Sequence, residues 1–412
     1  MFEVEPVIFT LSNGIRVVYH HADAYVAHMG VMIHAGSRFE KPHEEGLAHF
    51  IEHCIFKGTK KRKAFDIFTD LDSVGGELNA YTNKEEICVH ASFRKAHFSI
   101  ASELLGDIIQ NATFPIDEIT KEKGVVLDEI NSYLDNPVEC LFDQFEEELF
   151  KSHPLGANIL GSIKTVNSFD REMLRDYVSR LFVAKNIVIS FVGGISIEKL
   201  KNQLEEDFSN VSTAELNGGY TTPPHLSNFY TSSKKSNFQT HTILGGYAPS
   251  YNNDDRKGMT LLTNYLGGPA LNSRLVLSIR EKYGYAYSVE ASYSPYSDIG
   301  FWSIYTGTEP KNLQKAIKLI HEELDEVCST KIDEKQLEQA KEQLKGHIAL
   351  SLDSNLEVMF NLAKSVLIFN KVDNMSEIKS QIDVITNIEI QSIAQKVFAP
   401  DNISELIYNL KN

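Results

Sequence analysis

The second half of this 412-residue sequence repeats the first in register, and no other feature limits the possible folds so strongly. Ile116-Asp117-Glu118 recurs as Ile332-Asp333-Glu334. Leu181-Phe182-Val183-Ala184-Lys185-Asn186-Ile187 recurs at the same displacement as Val397-Phe398-Ala399-Pro400-Asp401-Asn402-Ile403. Leu134-Asp135 returns two positions later still, as Leu352-Asp353. Between the copies, residues 209–226 are polar and rich in Gly and Pro, the composition of a linker. The repeat predicts an α+β chain of two similar halves, each a mostly antiparallel sheet with helices packed on one face. The halves are expected over 1–210 and 226–412, joined by 211–225.

Local patterns fit that plan. Residues 7–19 read as two strands around Ser12-Asn13-Gly14, a hairpin signal, and a third strand is expected over 26–35. Residues 78–82 and 87–91 read as paired strands, and 97–111 as an amphipathic helix. A long helix is expected to open at Ile116.

The chemistry lies in residues 44–58, where His49 and His53 stand four apart with Glu52 between them. On a helix such a pair shares one face about a turn apart, with the third residue beside it. Two imidazoles so placed can hold one zinc ion, and the carboxylate can act as general base toward zinc-bound water. The order is the inverted H-x-x-E-H, which chance would supply only ~0.04 times in a chain of this composition. A hydrolytic zinc site needs three protein ligands and an open position. On the long helix Glu122 and Glu129 lie seven apart, two turns along one face, so both carboxylates can approach one site. Glu129 is the expected third ligand, whereas Glu122 also fits a solvated helix face. The second copy has no such motif: near residues 257–268 it offers Thr263 and Asn264 in place of Glu52 and His53.

Charge and composition exclude other classes. A formal net charge of −16 argues against nucleic acid as main partner. It suits either a cavity for basic peptides or a merely soluble acidic surface. No apolar run approaches the ~18 residues of a membrane span, and Met1-Phe2-Glu3-Val4-Glu5-Pro6 lacks the order of a signal peptide. Four cysteines (Cys54, Cys88, Cys140, Cys328), with no C-x-x-C pair, read as reduced thiols of a cytoplasmic protein.

Gly36-Ser37-Arg38-Phe39-Glu40, Glu45-Gly46-Leu47-Ala48-His49-Phe50-Ile51-Glu52-His53 and Phe56-Lys57-Gly58-Thr59 together resemble the pitrilysin-type (M16) zinc peptidases. The short, single-unit branch, which includes mitochondrial processing peptidase, fits along essentially the whole chain. The resemblance implies the LuxS/MPP-like metallohydrolase fold, Zn2+ on His49, His53 and Glu129, Glu52 as base, and Glu122 as support behind the ligands. It implies that the strand at Asn79 and Ala80 pairs with the backbone of an extended peptide. It also implies that Arg280 and Tyr287, seven apart, bind the substrate carbonyl and steady its oxyanion. Without it, a surface arginine and a core tyrosine are the plainer reading. Cys54 departs from the bulky apolar residue, such as Met, common at that position.

The function so implied is a zinc-dependent endopeptidase acting on extended peptides in a closed chamber. The expected assembly is a homodimer, each active site drawing on both chains. Two alternatives stand beside it, a non-catalytic scaffold subunit of the same fold and a catalytic subunit of a hetero-oligomer.

Overall fold

A computed structural model describes residues 5–215, 220–236 and 238–411. The first four residues of the N-terminal reading and positions 216–219 of the expected linker lie outside that range. Packing groups the chain into two compact units, each discontinuous in sequence. One comprises the chain as far as Ser132 with Ala157–Thr221 and Ala349–Asn374. The other comprises Tyr133–Gly156, Thr222–Ile348 and Met375–Asn412.

The first unit is built on six strands: β1 (Val7–Thr10), β2 (Arg16–His20), β3 (Val26–Ile33), β4 (Glu77–Thr82), β5 (Ile87–Arg94) and β6 (Ile187–Val192). Their order is β1-β2-β6-β3-β5-β4, antiparallel throughout except for the β2–β6 pair. One face carries the large core, to which the helices α1 (Leu47–Cys54), α2 (Ala64–Asp72), α3 (Phe98–Asn111) and α4 (Ile116–Leu134) contribute their apolar sides. Central β6 reads Ile-Val-Ile-Ser-Phe-Val and every residue is buried, as a strand covered on both faces must be. The second cover is the helix Asn355–Phe369, whose Val358, Met359, Leu362, Ala363 and Val366 pack on Val18, Met32, Cys88, Val188 and Val192. Gly30 of β3 makes room for it, since a Cβ there would lie 2.4 Å from Met359 Sδ.

The second unit repeats the design with β7 (Tyr230–Lys235), β8 (Thr240–Ala248), β9 (Ala286–Pro295), β10 (Gly300–Thr308) and β11 (Ser404–Leu410). The order is β7-β11-β8-β10-β9, again with a single parallel pair, β7–β11. One face bears Leu244, Trp302, Ile304 and Ile407 in a helix-covered core. The other bears Ile243, Tyr247, Phe301, Tyr305, Leu406 and Tyr408, packed on Leu141, Phe145 and Leu149 of α5 (Pro137–Leu149).

The α+β architecture of two similar sheets is as the repeat predicts, and the helices go further than one face. Each sheet has its second face covered by a helix from the other half of the sequence. The division at 211–225 follows the order of the chain, whereas the packing units exchange a helix across it. Among the described residues no helix is long and apolar enough to cross a membrane.

Candidate metal centre

α1 begins where two segments cross with no room for a side chain. Gly46 adopts φ 92°, and a Cβ there would lie 2.7 Å from the Gly161 Cα and the Leu160 carbonyl oxygen. Buried Glu40 accepts the Gly46 N–H at 3.0 Å and the Ala48 N–H at 2.7 Å, serving donors that a helix start leaves unpaired. Leu47, Phe50, Ile51 and Cys54 enter the core. The i, i+4 spacing then sets the His49 and His53 rings edge to face, centroids 4.7 Å apart, with Glu52 alongside.

α4 supplies the carboxylates. Ile119, Val126 and Ile130 bury one side of it, and that fixes the rotation at which Glu122 and Glu129 meet α1. Glu129 Oε2 lies 3.6 Å from His49 Nε2 and 3.4 Å from His53 Nε2. Glu122 Oε2 stands 3.2 Å from the other nitrogen of His53, Nδ1, while Glu122 Oε1 pairs with Lys57 Nζ at 2.8 Å. Lys57, Glu122 and His53 thus form a relay that ends on a candidate ligand. His49 has no such support, because its buried Nδ1 finds no partner among the described residues.

The donor set fits a zinc ion. Two imidazole nitrogens and one carboxylate oxygen lie within 4.8 Å of one another, the mixed set of catalytic zinc sites. Among the described residues this is the one group of three or more His, Cys, Asp or Glu brought so close. Burial, assisted by His53, lowers the His49 pKa to about 4, so the ring is neutral near neutral pH, the form in which an imidazole coordinates a metal. Burial also raises the pKa of Glu52 above its ordinary value, with the Thr82 hydroxyl and His53 pulling the other way. A carboxylate of raised basicity beside the ligands is suited to taking a proton. Cys54 is buried and its pKa pushed up, which keeps the thiol protonated.

Asn79 and Ala80 lie on β4, the edge of the first sheet, and α1 packs against this strand. Asn79 is exposed, and Ala80 is half-buried against the core. Arg280 and Tyr287 belong to the second unit. Arg280 sits in a π-helical turn, Val276–Glu281, closed by a hydrogen bond from the Lys282 N–H to the Leu277 carbonyl. Its guanidinium lies 5.7 Å from the centroid of the Tyr287 ring, which is 82% exposed on β9. Both line a cavity of about 450 Å3 with Gln239, Thr308 and Lys311. In the second unit Asn264, the counterpart of His53, meets His347 at 3.1 Å instead of a carboxylate.

Three residues of the centre were not singled out from sequence: Glu40, Lys57 and Thr82. Lys57 had a signal, standing four residues beyond His53. Glu40 closes a stretch that carries the family resemblance and Thr82 an expected strand, but nothing in either assigns a role, since only the folded chain brings them to α1.

Two histidines one helical turn apart, one carboxylate completing the set and a second carboxylate on the same helix as the first define a site of the metallohydrolase class. Comparison with known proteins makes the class specific. Residues 16–163 match the insulinase (peptidase family M16) domain, and residues 168–344 match the peptidase M16 inactive domain. A protein named zinc protease YmxG in Bacillus subtilis is 34% identical over 97% of both chains, and a zinc protease of Rickettsia bellii 31% identical over 96% of both. The chain belongs to the M16 peptidase family. In fold it resembles a peptidase M16 inactive domain from Pseudomonas fluorescens (TM-score 0.93, 17% identity, 99% of this chain and 98% of that). It also resembles a protease from Helicobacter pylori (TM-score 0.90, 21% identity, 99% of this chain and 100% of that).

Proposed function

We propose that this chain is a zinc-dependent endopeptidase that cuts extended or unfolded peptides, with Glu52 as general base. The observation that carries this is the convergence of His49 Nε2, His53 Nε2 and Glu129 Oε2 within 4.8 Å, with Glu52 on the same helix. Bound there, zinc would supply a Lewis acid that polarises the scissile carbonyl and acidifies water. Glu52 takes the proton of the attacking water and returns it to the leaving amine. Glu122 holds the His53 ring by Nδ1, and Lys57 holds Glu122.

The edge strand β4 leaves one side open to an incoming peptide at Asn79 and Ala80, where the Ala80 N–H now donates to the Asn79 Oδ1 at 3.3 Å and would exchange that bond for one to the peptide, a recognition mode with little side-chain selectivity. Arg280 and Tyr287 supply a cation and a phenol to a substrate carbonyl oxygen and to the oxyanion it becomes. Zinc ligands occur in the first half of the sequence and the Arg280/Tyr287 pair in the second. We therefore read the working assembly as a homodimer enclosing a chamber, each site completed by the partner chain. Four free cysteines favour the reducing cytoplasm.

Glu52→Gln is the test, with zinc content and peptide turnover measured together. The variant is expected to keep zinc at about the wild-type level and lose hydrolysis, because a base is removed and not a ligand. His53→Ala is expected to lose both. Appreciable hydrolysis by the Gln variant would overturn the role of Glu52.

A further inference from the structure

The turn between β4 and β5 is built unlike a surface turn. Lys84, Glu85 and Glu86, three consecutive charged residues at its tip, are each only 5–6% exposed. Connecting segments normally carry such residues in water, so something must hold these inside. Lys84 Nζ donates to the Ala157 carbonyl at 2.7 Å, and the backbone of the turn and Glu85 are held by the segment Gly36–Glu40. Gly36 lies so close that a Cβ would stand 2.4 Å from the Asn83 carbonyl oxygen and 2.6 Å from that of Lys84. The Ser37 N–H donates to the Asn83 carbonyl at 3.3 Å, and the Arg38 N–H to the Lys84 carbonyl at 2.9 Å. From the same residue the Arg38 guanidinium reaches Glu85 Oε1 at 2.5 Å, donates to the Thr221 carbonyl at 2.9 Å and stacks 4.0 Å over the Tyr220 ring. Two residues on, Glu40 caps α1. On the other side, Lys364 pairs with Glu86 at 2.8 Å.

Five consecutive residues therefore touch both parts of the site, the turn that ends β4 and the first turn of the metal-bearing helix. We propose that Arg38 is a positioning residue for peptide binding, fixing the end of β4 at the height that α1 requires through its joint hold on Glu85 and the Thr221 carbonyl. This rests on the peptidase reading for the identity of the ligand, but the brace can be measured without any catalysis. The fork of the guanidinium is essential to it. One terminal nitrogen donates to Glu85 and the other to the Thr221 carbonyl, a division that the single nitrogen of a lysine, on a shorter chain, does not offer. Glu40 secures α1 by separate bonds, so the metal ligands do not depend on Arg38.

Two variants test this, Arg38→Lys and the double variant Arg38→Met/Glu85→Gln, which removes both buried charges together and so leaves neither unpaired. The first readout is amide hydrogen exchange of the zinc-loaded protein. Exchange over residues 77–86 is expected to quicken about tenfold or more in both variants, with residues 47–54 and zinc content unchanged. The second is the affinity of a fluorescein-labelled, unstructured peptide of about 20 residues in the Glu52→Gln background, where binding is separated from turnover. Its Kd is expected to rise about tenfold; with Glu52 restored, KM should rise with kcat held within about twofold. Wild-type exchange over 77–86, exchange quickened evenly across the first unit, restoration by Lys, or an unchanged Kd would each overturn the assignment. Should the wild-type protein not hydrolyse peptides, the peptidase reading falls and the exchange result still decides whether Arg38 is the brace.

Discussion

Glu122→Gln asks whether the support behind His53 contributes to metal affinity. Glu122 is 6% exposed, with one oxygen on His53 Nδ1 at 3.2 Å and the other on Lys57 Nζ at 2.8 Å. The Gln side chain has nearly the same shape and can still accept from Nδ1–H, so packing is preserved. What it loses is the charge that makes the imidazole a better donor to a metal and fixes its tautomer. Loss of such a partner typically weakens metal binding 10–100-fold, about 1.4–2.8 kcal/mol. His53 is the only one of the two imidazoles supported in this way, since the Nδ1 of His49 has no partner among the described residues. One partner is therefore at stake, and the lower half of that range is expected. Lys57→Met should weaken zinc by less, because Glu122 keeps its contact with His53. The double variant should be no worse than Glu122→Gln alone, as both changes break one relay. Competition against a chelator of known affinity gives the zinc Kd of all three proteins. A Kd for Glu122→Gln within twofold of wild type, or additive losses in the double variant, would refute the relay.

Two other expectations are independent of it. Gly30→Val places a side chain where Met359 Sδ would be 2.4 Å from its Cβ; a loss of about 1–3 kcal/mol in denaturant unfolding is expected, partly recovered by adding Met359→Ala. If the proposed assembly is a two-chain dimer with shared sites, Glu52→Gln and Tyr287→Phe should each be inactive alone, and mixing them under subunit exchange should restore roughly a quarter of wild-type activity. No recovery, with mixed dimers seen by mass spectrometry, would exclude sharing.

Much of this was readable because it is local or periodic. The i, i+4 histidines, the seven-residue interval between Glu122 and Glu129, and the displacement between Ile116 and Ile332 are all matters of spacing. A helix converts spacing directly into a face. The Ser-Asn-Gly turn and the paired strands at 78–82 and 87–91 were likewise set by near neighbours. What escaped the sequence depends on contacts between distant residues. Lys84-Glu85-Glu86 looks like an ordinary exposed turn until Arg38 and Lys364 are beside it. Nothing near Asn355–Phe369 says which sheet it will cover. A hint did exist in Ile187–Val192, whose unbroken run of buried residues, with no alternation, required a cover on both faces. The π-helical turn at Arg280 was also invisible, for its hydrogen-bond pattern departs from the helix by a single residue.

The exchanged helices bear on how such a chain can be made. The last strand of the first sheet, β6, ends at Val192, yet the helix that covers the sheet's second face is complete only at Phe369. At about 5–20 residues per second a ribosome would need roughly 10–35 s to traverse that interval. Throughout it Val18, Met32, Cys88, Val188 and Val192 present an uncovered apolar surface on the nascent chain. That surface is a natural landing place for a chaperone, and a reason why a gene cut at the linker should yield two fragments that fold only in each other's presence.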